Sequence, residues 1–264
     1  MSVQAAQDGE AARSDVLAGR QAVITGGSKG IGLGIADALM AAGAHMTLTA
    51  RGAGQLTAAA ETLQARYPGQ EVRTVVGDAA GECKATLAGL DAILPAVDVV
   101  VANAGWGNIR SFLEITGQDW DDIVALNLTG TFRVMQWAAR RMAAAGDGAD
   151  RAILVVSSIR ALGARVGTAP YAATKAALNQ LARVAALELA GTGVRVNALS
   201  PGITATPMSI EQNPQVLAAM TQSVPMGRAG TPLDMGAAAV FLCSPQARFV
   251  TGANLVVDGG ESLK

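Results

Sequence analysis

The chain of 264 residues contains only two tyrosines and four lysines, and one of each lies in the stretch Tyr171-Ala172-Ala173-Thr174-Lys175. This stretch opens a segment rich in alanine and leucine, which favours a helix, and a spacing of four residues places the phenol and the ammonium on one helix face. An ammonium beside a phenol lowers the pKa of the tyrosine toward the working range of a general acid or base. The pair therefore predicts a proton-transfer site, although a surface tyrosine beside a solvated lysine would have the same spacing.

Two hydroxyls precede this stretch. Ser157 and Ser158 end an apolar run that reads as a strand. Ligands of a doubly wound α/β sheet bind at the carboxyl ends of its strands, so a hydroxyl at this position could bond a substrate oxygen.

A glycine-rich loop follows the first apolar run, with the sequence Thr25-Gly26-Gly27-Ser28-Lys29-Gly30-Ile31-Gly32. Glycines permit a tight turn, and the N-terminus of the helix that follows presents N–H groups to a pyrophosphate. The loop predicts a dinucleotide site, with an ordinary strand–helix connection as the alternative. A Walker loop is disfavoured because the lysine is not followed by Ser or Thr.

The end of the second predicted strand indicates which dinucleotide binds. An enzyme that uses NAD commonly has an acidic residue there to bond the ribose hydroxyls. This chain has Leu48-Thr49-Ala50-Arg51 instead. Lys29 and Arg51 would surround an adenosine 2′-phosphate, which predicts NADP(H) in preference to NAD(H). Two ordinary surface cations are the alternative.

The elements that must position these residues alternate along the chain as short apolar runs and longer helical segments. The predicted strands are Gln21–Thr25, His45–Thr49, Glu71–Gly77, Val97–Ala102, Ala152–Ser157, Val194–Ala198 and Asn254–Val257. The predicted helices are Ile31–Ala42, Ala53–Arg66, Glu82–Leu94, Gln118–Ala145, Tyr171–Ala190 and Pro232–Leu242. Several strands are apolar on both faces, which is typical of a parallel sheet covered by helices. We expect one α/β domain, residues 17–264, with a doubly wound parallel sheet of about seven strands and helices on both faces, after a flexible leader at residues 1–16.

The composition excludes several classes of protein. The net charge is −1 and no basic block occurs, so no nucleic-acid partner is expected. One histidine, His45, and two cysteines, Cys83 and Cys243, cannot form a zinc cluster, and no metal is expected. His45 is expected to be a packed or edge-of-strand residue, and the two cysteines to be inert thiols in a reducing compartment. No apolar run reaches 18 residues, so no membrane span is expected, and the predicted location is the cytoplasm.

Together these motifs resemble those of the short-chain dehydrogenase/reductase family along nearly the whole chain. Thr25–Gly32 matches the family's glycine loop, and the spacing of Ser158, Tyr171 and Lys175 selects Ser158 over Ser157. The other matching positions are Asp78, Asn103-Ala104-Gly105 (with Ala102 replacing the family's first Asn), Asn127, the segment Ser200–Pro207, Val250-Thr251-Gly252 and Val256–Gly260.

The resemblance implies a Rossmann-like fold and a mechanism. Tyr171 would exchange a proton with the substrate oxygen while NADPH delivers hydride, and Ser158 would position that oxygen. Lys175 would bond the nicotinamide ribose and lower the Tyr171 pKa, and Asn127 would hold a water that links Lys175 to solvent. The implied cofactor-binding residues are Thr25, Gly26, Ser28, Lys29, Gly30, Ile31, Gly32, Arg51, Asp78, Ala79, Asn103, Ala104, Gly105, Tyr171, Lys175, Pro201, Gly202, Thr204 and Thr206.

The substrate is less constrained than the cofactor. The resemblance places Trp106, Arg160 and Met208 at the substrate pocket, and the Arg160 guanidinium either binds an anionic group or points outward. The expected activity is an NADP(H)-dependent interconversion of a small ketone or aldehyde with an alcohol. The alternatives are a 3-oxoacyl-thioester (acyl carrier protein) reductase, for which Arg140, Arg141 and Arg183 could supply a basic docking surface, and a non-catalytic NADPH sensor. The resemblance also implies a homotetramer or homodimer.

Overall fold

The computed structural model describes residues 15–81, 83–206 and 221–264, which include one sheet of seven parallel strands. Along the sheet the order is β3-β2-β1-β4-β5-β6-β7. The strands are β1 (Gln21–Thr25), β2 (His45–Ala50), β3 (Val72–Val76), β4 (Val99–Ala102), β5 (Arg151–Val156), β6 (Val194–Pro201) and β7 (Asn254–Val257). The predicted parallel, doubly wound sheet is confirmed.

Helices cover both faces of this sheet. They are α1 (Gly30–Ala41), α2 (Ala53–Arg66), α3 (Cys83–Ile93), α4 (Gly117–Ile123), α5 (Thr131–Ala144), α6 (Ala169–Leu189) and α7 (Pro232–Cys243). Helices α1, α2 and α7 pack in one hydrophobic cluster, and α3, α5 and α6 pack in another. Alternate residues of β5 feed the two clusters, since Leu154 belongs to the first and Ile153 to the second.

The predicted helix Gln118–Ala145 is helical over residues 117–144, but it is not α-helical throughout. The structure has α4, then a π-helical turn over Val124–Gly130, then α5. Thr116 and Asp119 form a capping box that begins α4. A π-turn adds residues to one turn without interrupting the apolar pattern, so hydropathy does not reveal it. Such turns frequently occur at functional sites, and this one carries Asn127.

The N-terminal end of the domain packs against the first hydrophobic cluster. Of the predicted leader, only Asp15 and Val16 are among the described residues. Val16 packs against the first cluster, and the buried Leu17 donates its N–H to the Ala42 carbonyl oxygen at 2.9 Å. In the parts of the chain that the structure describes, no helix is both long and apolar enough to traverse a bilayer.

The strand order reverses between β1 and β4. From β1 the chain adds β2 and β3 toward one edge of the sheet, and from β4 it adds β5, β6 and β7 toward the other. At such a switch point the loops that leave neighbouring strands diverge, which opens a crevice at the carboxyl ends. The glycine loop leaves β1 here and Asn103 leaves β4, while Ser157 follows β5 two strands away. The topology thus brings the predicted site residues to one edge of the sheet.

Candidate active site

A cavity of about 650 Å³ occupies this crevice. It is lined by the glycine loop, the ends of β2, β4, β5 and β6, and the first turns of α6. The predicted cofactor residues in its lining are Gly26, Ser28, Lys29, Gly30, Ile31, Gly32, Arg51, Asp78, Ala79, Asn103, Ala104, Gly105, Tyr171, Lys175, Pro201, Gly202 and Thr206. Ser158 also lines it. The volume lies within the range of small-molecule and cofactor sites.

The glycine loop is held by close backbone contacts. Gly26 has φ of +67°, a conformation that glycine adopts without strain. A Cβ on Gly32 would lie 2.3 Å from the Gly26 carbonyl oxygen, so only glycine fits there. The Asn103 amide donates to the carbonyl oxygens of Thr25 and Gly26 at 3.0 and 3.1 Å. Asn103 therefore supports the loop as well as lining the cavity.

Thr25 and Thr204 are absent from the cavity lining among the described residues. The hydroxyl of each forms hydrogen bonds with main-chain groups. The Thr25 hydroxyl oxygen accepts from the N–H groups of Asn103 and Ala104, each at 3.1 Å. The Thr204 hydroxyl donates to the Gly202 carbonyl oxygen at 3.1 Å. Their predicted role in cofactor binding would therefore be indirect.

The cavity fits a phosphorylated dinucleotide in its charge. The 12-residue helix α1 begins at Gly30, and no side chain caps its N-terminus. Such a terminus attracts anions. Among the described residues, the basic side chains in the cavity lining are Lys29, Arg51, Arg160, Arg165 and Lys175, and the acidic one is Asp78. Lys29 and Arg51 are exposed and have no carboxylate partner in the described parts of the chain.

Tyr171, Ser158 and Lys175 meet on one wall of the cavity. Tyr171 lies in the first turn of α6, after Pro170, which is favoured at a helix start. The Lys175 Nζ is 5.5 Å from the centre of the Tyr171 ring and donates to the Val156 carbonyl oxygen at 2.8 Å. The Ser157 hydroxyl donates to the Lys175 carbonyl oxygen at 3.1 Å, which ties α6 to β5 and leaves Ser158 as the hydroxyl that bonds Tyr171.

The pKa values on this wall differ from the sequence-based expectation. Burial raises the pKa of Tyr171 above its usual value, and the hydrogen bond with Ser158 and the charge of Arg160 only partly oppose it. Burial lowers the pKa of Lys175 to about 8. The Lys175 ammonium donates to the Val156 carbonyl oxygen, and its predicted effect on the Tyr171 pKa stays a prediction.

Asn127 is fully buried in the π-helical turn and clamps the main chain of Trp106. Its Oδ1 accepts from the Trp106 N–H at 3.0 Å, and its Nδ2 donates to the Trp106 carbonyl oxygen at 2.8 Å. It does not itself appear in the cavity lining among the described residues. Its role in holding a water stays a prediction, whereas its contact with Trp106 was not foreseen.

The residues expected at the substrate pocket have three different outcomes. Trp106 lines the cavity and is partly exposed. Arg160 lines it too and forms an ion pair with Glu261, so its side chain does not point outward, and its contact with an anionic substrate group stays a prediction. Met208 lies outside the described residues.

Sequence reasoning missed Glu261 and the Val156 carbonyl, and it assigned no role to Arg165. Arg165 lines the cavity beside Thr168, on the loop before α6. No pattern in the sequence indicates Glu261, which is separated from Arg160 by 101 residues. The Val156 carbonyl is a backbone group, which residue types cannot reveal.

The histidine and the two cysteines lie outside the cavity lining among the described residues. The His45 Nδ1 accepts from the Glu71 N–H at 2.9 Å at the start of β2, as expected for an edge-of-strand residue. Cys83 and Cys243 are buried thiols whose burial raises their pKa values, that of Cys243 to about 12. Within residues 15–81, 83–206 and 221–264, no group of His, Cys, Asp and Glu side chains is arranged to hold a metal ion.

Comparison with known proteins places this arrangement among oxidoreductases. Residues 26–262 match the family profile described as enoyl-(acyl carrier protein) reductase. Galactitol 2-dehydrogenase (L-tagatose-forming) of Cereibacter sphaeroides is 39% identical over 257 residues, which are 94% of this chain and 96% of that protein. A short-chain type dehydrogenase/reductase from Mycobacterium marinum superposes with a TM-score of 0.88 at 29% identity, covering 95% and 98% of the two chains.

A third similar protein was solved with cofactor. It is described as a putative NAD(P)-dependent gluconate 5-dehydrogenase from Beutenbergia cavernae with bound NADP at low occupancy. It is 33% identical and has a TM-score of 0.87, and the match covers 95% of this chain and 100% of that one.

Proposed function

This chain belongs to the short-chain dehydrogenase/reductase family, and from that premise we propose that it transfers hydride between NADP(H) and a ketone or aldehyde, with Tyr171 as the general acid and base. As an oxidoreductase of this family, it acts on alcohol or carbonyl groups. One observation carries the finer proposal: Tyr171, Ser158 and Lys175 share a wall of the same cavity that receives the N-terminus of α1.

The chain's own residues act on the oxygen of the substrate. A bound nicotinamide supplies the hydride. The Ser158 hydroxyl bonds the carbonyl oxygen and orients it, and the Tyr171 phenol gives its proton to the same oxygen. In oxidation, the Tyr171 phenolate removes the hydroxyl proton. Lys175 shares the cavity wall with Tyr171 and would bond the nicotinamide ribose there, as the family resemblance implies.

The raised pKa of Tyr171 favours reduction at neutral pH. A general acid must carry its proton, and burial keeps the phenol protonated. Oxidation needs the phenolate, so its rate should rise with pH while that of reduction falls.

The decisive experiment is a panel of carbonyl compounds assayed with NADPH and with NADH, followed at 340 nm. It should include sugar ketones and keto acids, because similar proteins are described as acting on galactitol and gluconate. We expect reduction of at least one compound and a higher kcat/KM with NADPH. No turnover on any compound, together with no NADPH binding, would contradict the proposal.

The cofactor preference rests on Lys29 and Arg51, which we propose bind the 2′-phosphate. Each charge-assisted contact contributes about 1.5–3 kcal/mol, so Arg51→Ala should lower kcat/KM for NADPH by about 10- to 150-fold and leave NADH nearly unaffected. Arg248→Ala is the matched control, because Arg248 is exposed and outside the cavity lining. Equal losses for NADPH and NADH would show that Arg51 does not read the 2′-phosphate.

Reduction of an acyl-carrier-protein substrate is a second candidate, favoured by the description of the matching family profile. Of the three arginines of the predicted docking surface, Arg140 is exposed and Arg141 is paired. Arg141 pairs with Asp91 and also donates to the Leu94 carbonyl oxygen, toward the start of β4 and away from the cavity. Arg183 lies 12 residues beyond Tyr171 on α6, about 18 Å along the helix. Reduction of a 3-oxoacyl carrier-protein thioester at a higher kcat/KM than that of small ketones would favour this candidate.

We also propose that α5 and α6 form a contact between copies of the chain. Phe132 on α5 and Val184 and Leu187 on α6 expose apolar side chains. Apolar patches of this kind mark interfaces when they are contiguous. Light scattering should give the mass of a homodimer or homotetramer, and a monomer at micromolar concentration would refute the contact.

A further inference from the structure

Glu261 lies between two walls of the cavity and bonds both. One carboxylate oxygen, Oε1, forms the ion pair with Arg160, which follows Ser158 by two residues. The other, Oε2, accepts from the Ile203 N–H at 3.0 Å, beside the cavity residue Gly202. The Glu261 side chain is only 8% exposed and that of Arg160 19%, so the pair is well shielded from water.

The turn after β7 brings Glu261 to this position. Gly259 and Gly260 both have left-handed backbone, with φ of +61° and +88°. The Asp258 carboxylate closes the turn by accepting from the N–H groups of Gly260 at 2.9 Å and Ser262 at 2.7 Å. This turn directs the next side chain, that of Glu261, back into the domain.

Gly202 makes the approach of Glu261 possible. A Cβ at residue 202 would lie 2.5 Å from the Asp258 Cβ and 3.1 Å from the Glu261 Oε2. The absence of a side chain there lets the turn pack directly on the segment that follows β6. The C-terminal turn and this cavity wall are therefore one packed unit.

Arg160 transmits the contact to the reacting group. Its N–H donates to the Ser158 Oγ at 3.1 Å, at the start of the short helical turn Ile159–Ala161. Its guanidinium charge also acts on the Tyr171 phenol, whose pKa it lowers. Glu261 thus holds an arginine that touches Ser158 through its backbone and Tyr171 through its charge.

We propose that Glu261 is a positioning residue for the reaction, which keeps the Ser158 turn and the Gly202–Ile203 segment in register and balances the charge of Arg160 beside Tyr171. This inference deepens the proposed function and rests on it. The same pairing neutralises Arg160 toward the substrate, so the part of the pocket next to Ser158 suits a neutral group. Removal of Glu261 would leave a shielded, unpaired guanidinium beside the reacting oxygen.

Two variants that each remove one charge from this region should shift the Tyr171 pKa in opposite directions. Within the described parts of the chain, the groups that act on the Tyr171 phenol or ring are Ser158, Arg160 and Lys175. The charged groups next to Glu261 are Arg160 and Asp258. Glu261→Gln leaves the Arg160 charge unopposed, so the Tyr171 pKa should fall. Arg160→Gln removes that charge, so the Tyr171 pKa should rise.

The chain allows this titration to be read directly, because it has only two tyrosines. In a Tyr67→Phe background, the absorbance of tyrosinate at 295 nm reports Tyr171 alone, and circular dichroism checks that the fold persists. We expect Glu261→Gln to move the titration to lower pH and Arg160→Gln to higher pH. Shifts of the same sign, or no shift in either variant, would overturn the proposal whether or not a carbonyl substrate is found.

Steady-state kinetics provide the second readout on the same variants. Misplacement by about 1 Å can cost about 100-fold in rate, so Glu261→Ala should lower kcat by about that factor, and Glu261→Gln, which can still accept from Ile203, by about 10-fold. The double variant Glu261→Gln/Arg160→Gln should be no worse than the poorer single variant, because the two residues act as a pair.

Glu61→Gln, on the exposed face of α2, is the matched control and should keep the parental kcat. If the Glu261 variants lose thermal stability but keep kcat, then Glu261 is only structural and the proposal fails while the proposed function stands. If the parental chain reduces no carbonyl, then the proposed function fails, and the opposite titration shifts still decide the role of Glu261.

Discussion

Replacing Gly32 by alanine tests whether the glycine loop positions the cofactor. A Cβ at this residue would lie 2.3 Å from the Gly26 carbonyl oxygen and 2.6 Å from the Asn103 Nδ2. Both distances are far below van der Waals contact, so the loop and α1 must separate by about 1 Å. Such a separation redirects the N–H groups that would bind the pyrophosphate.

The expected cost follows from this overpacking. Inserting a methyl group into a tightly packed site costs about 1–3 kcal/mol, and a central value of about 2 kcal/mol corresponds to about 30-fold in Kd. Because the displaced atoms belong to the binding loop, the Kd of NADPH should rise by about that factor. The atoms nearest to the added Cβ belong to Gly26 and Asn103, not to Tyr171 or Ser158, so kcat at saturating NADPH should fall less than about 3-fold.

The assay is a fluorescence titration of NADPH, combined with initial rates and thermal unfolding. Gly54→Ala on α2 is the matched control, because a Cβ there meets no atom within 4 Å. That substitution should leave the Kd unchanged and add about 0.5–1 kcal/mol of helix stability. An unchanged Kd for Gly32→Ala, or equal changes for the two variants, would refute the reasoning.

Asn127→Ala removes both hydrogen bonds to the Trp106 main chain. The kcat should fall about 10-fold in initial-rate assays, and the free energy of unfolding should fall by about 1–3 kcal/mol. An unchanged kcat would show that these two bonds do not matter for turnover. The folded pKa of Lys175 is about 8 against 10.5 for the free group, so the unfolded chain binds more protons between these values and this lysine makes stability rise with pH there. Lys175→Met should abolish that slope and raise Tm at pH 7 while turnover is lost, and a lower Tm would contradict the burial cost. Reduction should slow and oxidation should accelerate as pH rises toward the Tyr171 pKa, and parallel pH profiles would exclude Tyr171 as the shared acid and base.

The fold was predictable because its signals are local. Runs such as Val99–Ala102 are apolar on both faces, and strands Gln21–Thr25 and Asn254–Val257 are found at the predicted residues. The π-helical turn at Val124–Gly130 was not predictable, because one widened turn leaves the apolar pattern intact.

The site was predictable where spacing along one element defines it. Tyr171 and Lys175 are one helical turn apart, and the glycine loop is contiguous, so the sequence places them in the cavity lining. The Arg160–Glu261 pair joins residues 101 positions apart, and no local pattern indicates it. The directions in which the pKa values of Tyr171 and Lys175 shift also escaped prediction, since burial is the largest cause of both and no local pattern shows it.

The central claim is that Tyr171 transfers the proton, and the substitution Tyr171→Phe tests it most directly. It removes the phenol oxygen and keeps the ring. General acid–base catalysis contributes about 100- to 10,000-fold, so kcat for the best carbonyl substrate should fall at least 100-fold, while the Kd of NADPH stays within about 2-fold. A variant that binds NADPH normally and retains more than about 5% of the parental kcat would contradict the account.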